Sequence, residues 1–118
     1  MPKVKYYQNR RGDYPVRDFI EQLDTESQGK AYGYITLLQE EGHRLGRPYV
    51  GKATGEIWYL RPKTKAGHIR IFYFFFKRHP ILLHSFKKKT QKIPKREIKT
   101  AEDRIEDFRL RYERGELK

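Results

Sequence analysis

The chain has 118 residues and a formal net charge of +12, with 36% hydrophobic, 36% charged and 14% aromatic residues. This length fits one domain spanning residues 1–118, and the aromatic share is enough to build a modest core, which argues against a disordered chain. The absence of cysteine excludes a disulfide framework and thiolate metal sites.

The first half of the chain predicts a strand followed by two helices. Polar and apolar residues alternate over Lys3–Gln8, which is typical of a short strand. A helix is predicted over 13–23, with Pro15 near its first turn. A capping-box motif at Thr25 begins the second helix, and Gly42 suits its C-terminal end.

The second half predicts three strands and a final helix. The strands are Glu56–Arg61, His68–Phe76 and Ile81–Lys87, joined by turns at 62–67 and 77–80. The helix begins near Pro94, because apolar residues then recur at spacings of three and four. These are Ile98, Ala101, Ile105, Phe108 and Tyr112. The order predicts an α+β fold, with helices packed on a small, mainly antiparallel sheet.

The sequence shows no apolar run typical of a targeting or membrane-spanning segment. The first residues contain no apolar run that would serve as a signal peptide, and the longest apolar run, 71–76, is far too short to span a bilayer. We therefore expect a soluble, cytoplasmic protein.

The excess positive charge lies in one stretch of the chain. Residues 61–99 carry thirteen Lys/Arg and only Glu97 as an acid, whereas 1–60 carry nine Lys/Arg against eight Asp/Glu and 100–118 carry five against six. A field concentrated in this way attracts polyanions, either nucleic acid or an acidic membrane. The membrane is the weaker alternative, because these cations lie on predicted strands and turns rather than on one helix face.

Several kinds of catalytic site have no support in the sequence. The histidines, His43, His68, His79 and His84, lack zincin spacing, and the basic strands hold no acid to complete a metal site. No nucleophile elbow and no glycine-rich phosphate loop is present. We therefore expect neither a metal nor a cofactor.

A hypothetical register places several cations together. If the last two strands turn about 77–80, Arg70 lies opposite Lys87, and Tyr73 opposite His84. If the preceding pair turns at 64–65, Tyr59 lies opposite Arg70. Because opposed residues of an antiparallel pair point to the same face, the predicted face holds Tyr59, Arg61, His68, Arg70 and Lys87. A slip of one residue would separate this set.

Such a face suits metal-free cleavage of RNA. The ribose 2′-OH must lose a proton and attack the adjacent phosphate, and the leaving 5′-oxygen must gain one. We assign charge stabilisation to Arg61, Arg70 and Lys87. The proton transfers stay open among His84, His68, Tyr59 and Tyr73. Arg61 and Arg70 are the most informative, because each lies within an otherwise apolar strand where an unpaired charge is costly.

Simpler structural interpretations stay open for the other residues. A core or rim position is the favoured alternative for Tyr73, and His84 is equally well explained as a packed histidine. Lys87-Lys88-Lys89 also fits a solvated strand end. Further RNA contacts are predicted at Lys63, Lys65, His68, Lys89 and Lys92.

Five segments of the chain carry a family resemblance. They are 16–24 (VRDFIEQLD), 55–61 (GEIWYLR), 68–73 (HIRIFY), 82–94 (LLHSFKKKTQKIP) and 97–101 (EIKTA). Together they resemble the phage-derived HigB-like toxins of the RelE superfamily over roughly residues 14–105. The long segment at 82–94 is the most specific part of this similarity.

The resemblance implies a type II toxin that cleaves mRNA, commonly on the translating ribosome, and a cognate antitoxin with a helix-turn-helix domain. By position, it places the catalytic basic residues at Arg61, Arg70 and Lys87 or Lys88. Tyr59 stands where the family usually has Glu. No tyrosine follows the lysine run, so the proton-transfer role falls to His84, to Tyr73 or to the ribosome.

Two functions therefore compete. The first is a ribosome-dependent mRNA endonuclease, and the second is a non-catalytic RNA-binding or ribosome-associated module that uses the same basic face. The charge supports both equally, because phosphate contacts position a protein without implying chemistry. Arg61, Arg70 and the resemblance favour the enzyme.

Overall fold

The computed structural model describes residues 2–117 and has an α+β fold, the class that the sequence predicts. The strands are β1 (Lys5–Tyr6), β2 (Val50–Thr54), β3 (Ile57–Leu60), β4 (Lys63–Thr64), β5 (Gly67–Phe76) and β6 (His79–Lys87). The α-helices are α1 (Pro15–Glu21), α2 (Thr25–Glu41) and α3 (Lys95–Glu113), and a short 3-10 helix, Gly42–Arg44, follows α2.

One sheet carries helices on both faces. Its strand order is β1-β6-β5-β3-β2, with β4 paired to β5, and every pair is antiparallel except β1 with β6. Residues of α1 and α2 pack with Ile69, Ile71 and Tyr73 on one face. On the other face, Ala101 and Ile105 of α3 pack with residues such as Phe72.

The helix ends follow from local backbone chemistry. Asp24, and not the predicted capping box at Thr25, begins α2, because its carboxylate accepts a hydrogen bond from the Ser27 N–H at 3.0 Å. Gly42 ends α2 as predicted, with a positive φ of 55° that suits glycine. The first helix is shorter than the predicted 13–23.

The strands differ from the prediction in number and length. Two strands, β2 and β4, were not predicted, and β1 covers two residues rather than Lys3–Gln8. The edge strand β2 reads VGKAT, which lacks the bulky β-branched run that predicts a strand. It pairs with β3, and Gly51 leaves room for the Tyr59 ring of that strand, because a methyl group there would lie 2.7 Å from the ring atom Cε1.

The predicted register of the β5–β6 hairpin is wrong. A tight turn at Lys77 and Arg78, both with positive φ, joins the strands, and Leu83 is an extra residue that forms a bulge in β6. As a result Arg70 pairs with Phe86, and Lys87 pairs with Ile69. The tight turn shifts the pairing of Tyr73 by two residues from the predicted one, and the bulge reduces the shift at Arg70 to one.

None of the helices described within residues 2–117 is both long enough and apolar enough to cross a bilayer.

Candidate nucleic-acid interface

Arg70 is the centre of the candidate interface. It lies near the start of β5, on the sheet face that α3 covers, and only 5% of the residue is exposed. One guanidinium nitrogen, Nη1, donates to the Ile69 carbonyl at 3.0 Å, while the buried Nε has no partner in the described structure. Burial lowers the pKa of the Arg70 guanidinium, because desolvation disfavours the charged form.

The Tyr59 ring supports Arg70 from β3. The guanidinium carbon of Arg70 lies 5.3 Å from the centre of that ring, which is a cation–π contact. The ring is half-buried above Gly51 of β2. The contact offsets part of the cost of burying Arg70, but no residue within 2–117 gives its charge an anionic partner.

Arg61 follows β3 and does not lie within it. The strand ends at Leu60, and the Arg61 side chain is exposed, so the predicted burial of this charge is wrong. Its backbone N–H donates to the Tyr49 carbonyl at 3.0 Å. The charge of Arg61 lowers the pKa of Arg70 further, because the two positive charges repel each other. Both guanidinium groups therefore contribute to the same positive potential.

Lys87 does not share a face with Arg70. Its partner Ile69 packs with α1 and α2, so Lys87 points to that side of the sheet, and the predicted pairing with Arg70 is corrected. Lys87 is exposed at the end of β6, where Arg70 also lies. The next residue, Lys88, is half-buried, and its N–H donates to the His68 carbonyl at 2.8 Å. The two lysines therefore flank the end of the hairpin.

His84 is held by α3. Its Nε2 lies 2.7 Å from the Glu97 carboxylate, and its Nδ1 lies 3.3 Å from Arg104, whose Nη1 also donates to the Leu83 carbonyl at 2.8 Å. The side chain is 17% exposed. Burial lowers the pKa of the His84 imidazole more than the Glu97 hydrogen bond raises it. Both ring nitrogens are therefore occupied by protein groups.

Tyr73 lies on the far side of the sheet from Arg70. It is 2% exposed in the cluster formed with α1 and α2, because it lies three residues from Arg70 on β5 and successive side chains of a strand alternate between the two faces. Its partner on β6 is Leu82 and not His84 as predicted. Burial raises the pKa of its hydroxyl well above the ordinary value. The structure does not bring Tyr73 together with the cations.

The remaining predicted contact residues lie at the surface around the same end of the hairpin. His68 pairs with Lys63 of β4, and because it lies two residues from Arg70 on β5, both point to the same face. All are exposed; they are Lys63, Lys65, His68, Lys89 and Lys92.

The contacts that hold these residues in place were not predicted. Gly51 lies against Tyr59, which was predicted on the basic face only as a proton-transfer candidate, and Glu97 and Arg104 hold His84. Glu97 had a detectable signal, because it is the single acid within 61–99. Neither Gly51 nor Arg104 shows a comparable signal, since their roles depend on contacts between distant strands and helices.

The arrangement is a cationic surface with a desolvated guanidinium at its centre, which is suited to binding phosphate. Across residues 2–117, no group of three or more His, Cys, Asp or Glu side chains is placed to hold a metal ion.

Comparison with known proteins identifies related sequences. Residues 18–106 match the profile of a family described as phage-derived Gp49-like proteins. A stretch of 50 residues is 42% identical to a protein named "Probable endoribonuclease HigB1" in two strains of Mycobacterium tuberculosis, CDC 1551 / Oshkosh and ATCC 25618 / H37Rv. The alignment covers 42% of this chain and 40% of each relative.

Proposed function

The chain belongs to the Gp49-like family of phage-derived, RelE/HigB-like toxins, and from this premise we propose that it is an endoribonuclease that cleaves mRNA. The observation that carries the proposal is Arg70, a guanidinium that is 5% exposed and has no anionic partner among residues 2–117. A buried unpaired charge is costly, and an incoming phosphate would compensate it.

The proposed reaction needs only groups of the RNA and of this face. The 2′-OH loses its proton and attacks the adjacent phosphorus, and the 5′-oxygen leaves with a proton, which gives a cyclic 2′,3′-phosphate and a free 5′-hydroxyl. Arg70 and Arg61 stabilise the charge that builds on the phosphate oxygens in the transition state. Lys87 and Lys88, at the end of the β5–β6 hairpin away from its turn, bind the RNA that flanks the cleaved bond.

The proton transfers fall to residues on the face of Arg70. Geometry disfavours Tyr73, which is buried on the other face, and His84, whose two ring nitrogens contact Glu97 and Arg104. His68 is exposed beside Arg70, and Tyr59 lies against it. We assign the proton transfers to His68 and Tyr59, with the ribosome supplying any group that this face lacks.

The proposed partners follow from the family. They are mRNA on the translating ribosome and a cognate helix-turn-helix antitoxin that neutralises the toxin in the cytoplasm. The charge of residues 61–99 supports an RNA partner, because thirteen cations against one acid form a strong polyanion-binding field.

The test is a translation reaction in which new mRNA ends are mapped and their chemistry is determined. We expect ends with a 5′-hydroxyl and a 2′,3′-cyclic phosphate, the products of attack by the 2′-OH, and we expect Arg70→Met to lose them. Methionine fills a similar volume without the charge, so the variant should melt at or above the wild-type temperature. New ends that carry a 5′-phosphate would disprove cleavage by 2′-OH attack, and undiminished cleavage by Arg70→Met would remove Arg70 from the site.

A second candidate function is the non-catalytic RNA-binding module. The observation that favours it is the engagement of His84 and Tyr73 in packing, which leaves few proton-transfer groups on the basic face. Its signature would be RNA or ribosome binding by the wild type that Arg70→Met weakens, with no new mRNA ends under any condition.

A further inference from the structure

A small cavity opens at the end of β6, on the opposite side of that strand from β5. It has a volume of about 350 Å³ and lies between α1 and the first turn of α3. Phe19 of α1 and Phe86 of β6 form apolar parts of its wall. Phe86 is also the partner of Arg70 across the hairpin, and neighbouring strands lie ~5 Å apart, so one wall of the cavity is formed by the residue next to Arg70.

Three cations surround the cavity. Lys87, Lys89 and Arg96 line it and are exposed, and within residues 2–117 none of them forms an ion pair with a carboxylate. The acidic residue that lines the cavity is Glu97. Its side chain is 17% exposed, and its carboxylate lies 2.7 Å from His84 Nε2. The cavity therefore has an excess of positive charge.

A buried hydroxyl without a partner also lines the cavity. Ser85 is 7% exposed, and its Oγ has no hydrogen-bond partner in the described part of the chain. A buried hydroxyl that makes no hydrogen bond is costly, so a ligand that accepts from it would recover that cost.

The N-terminus of α3 opens into the same cavity. This helix has 19 residues, Pro94 precedes it, and no side chain in the described part of the chain caps it. Pro94, Arg96 and Glu97 all line the cavity. The first backbone N–H groups of a helix have no intrahelical acceptor, and with the helix dipole they favour an anion.

We propose that this cavity binds a phosphate of single-stranded RNA, in the nucleotide next to the one held at Arg70, with the sugar or base against Phe19. The cations, the unpaired Ser85 hydroxyl and the uncapped helix all suit a phosphate oxygen. This inference rests on the proposed function, since the strand that reaches the cavity is the one cleaved at Arg70.

The test compares two neighbouring cations in the first turn of α3. Arg96 lines the cavity, whereas Lys95 has the same charge and exposure but does not. The probe is a single-stranded RNA hexamer with 2′-O-methyl groups, which 2′-OH attack cannot cleave, and its dissociation constant is measured by fluorescence anisotropy. We expect Arg96→Ala to weaken binding about tenfold, as loss of a charged hydrogen bond does, and Lys95→Ala by much less.

A second variant and a second ligand sharpen the result. Ser85→Ala removes the unpaired hydroxyl, so it should fold as well as the wild type and bind the hexamer about threefold more weakly, a loss of less than 1 kcal/mol. Inorganic phosphate is titrated separately while the backbone amide signals of Arg96 and Glu97 are followed by NMR. Equal losses for Arg96→Ala and Lys95→Ala would overturn the proposal. Tight binding of inorganic phosphate with no effect of Arg96→Ala on the hexamer would instead identify a free-phosphate site.

The outcomes separate this inference from the proposed function. A selective effect of Arg96→Ala on the hexamer, without mRNA cleavage by the wild type, would retain the subsite and reject the nuclease. Cleavage of mRNA without that selective effect would retain the nuclease and reject the subsite.

Discussion

Among single residues, Tyr59 connects Gly51 to Arg70: its ring packs on Gly51 and makes the cation–π contact with Arg70. A methyl group at position 51 would lie 2.7 Å from Cε1 of that ring, so Gly51→Ala must displace the ring from Arg70. We expect a loss of about 1–3 kcal/mol in the free energy of unfolding, as for overpacked sites, and weaker RNA cleavage. Urea denaturation and an mRNA cleavage assay measure the two effects.

Gly33 of α2 is the matched control. Nothing lies within 4 Å of a methyl group added there, and alanine is the better helix former, so Gly33→Ala should stabilise the protein by up to about 1 kcal/mol with unchanged cleavage. If Gly51→Ala were as stable and active as the wild type, Tyr59 would not be needed to hold Arg70.

His84 makes the stability depend on pH. Burial lowers the pKa of the folded imidazole below the unfolded value of about 6.5, Arg104 lowers it further, and Glu97 partly opposes both. Between the two pKa values the unfolded chain binds more protons, so the contribution is complete above the unfolded pKa and is lost as the pH falls through the folded pKa.

His84→Gln isolates this contribution, because glutamine keeps a hydrogen-bond donor for Glu97 and does not titrate. Thermal melts between about pH 7.5 and 5.5 should show a smaller decline in the melting temperature for His84→Gln than for the wild type. Parallel curves for the two proteins would contradict the assignment.

At the scale of elements, α3 is fixed to the sheet by a buried polar network. Asp107 accepts from the Tyr7 hydroxyl at 2.6 Å and from Nε of Arg111 at 3.0 Å, and Arg111 is 8% exposed and also donates to the Gln8 carbonyl. Burial acts to raise the pKa of the Asp107 carboxyl, but the hydrogen bonds from Tyr7 and Arg111 outweigh it and lower that pKa.

Asp107→Asn should therefore destabilise the protein by about 2 kcal/mol, because it leaves the Arg111 charge without its carboxylate. The control is Asp103→Asn, which removes only an exposed pair with Lys99 on the same helix and should leave the urea midpoint unchanged. Equal effects of the two variants would show that Asp107 is not an anchor of α3.

Elements with strong periodicity were predictable. The apolar stripe that predicts α3, including Ala101 and Ile105, is the one that packs on the sheet, and the aromatic run of β5 forms its central strand. The strand β2 could not be predicted, because its residues lack a strand pattern of their own and form a strand by pairing with β3. The prediction that Arg70 and Lys87 share a face was also wrong, because the bulge at Leu83 shifts the register of β6 against β5.

At the scale of the whole molecule, the concentration of charge predicts a steep salt dependence. If Arg61, Arg70, Lys87, Lys89 and Arg96 each contact one phosphate, the affinity for single-stranded RNA should fall with a logarithmic slope of about −3.5, or about 10²-fold between about 50 and 200 mM salt. Arg96→Ala should reduce the magnitude of that slope by about 0.7. Binding of the 2′-O-methyl hexamer at a series of salt concentrations measures both, and a slope near zero would contradict a phosphate-binding face.

The fold class, the family and the basic stretch 61–99 can be recognised from the sequence alone, because periodicity, motifs and composition are properties of local sequence. The three-dimensional packing was needed to show which cations share a face, that His84 is bonded to Glu97, and that Arg70 is buried against Tyr59. The two-residue period of a strand explains this difference: a single extra residue in one strand reverses the face of every side chain beyond it relative to the partner strand, and no local pattern records that bulge.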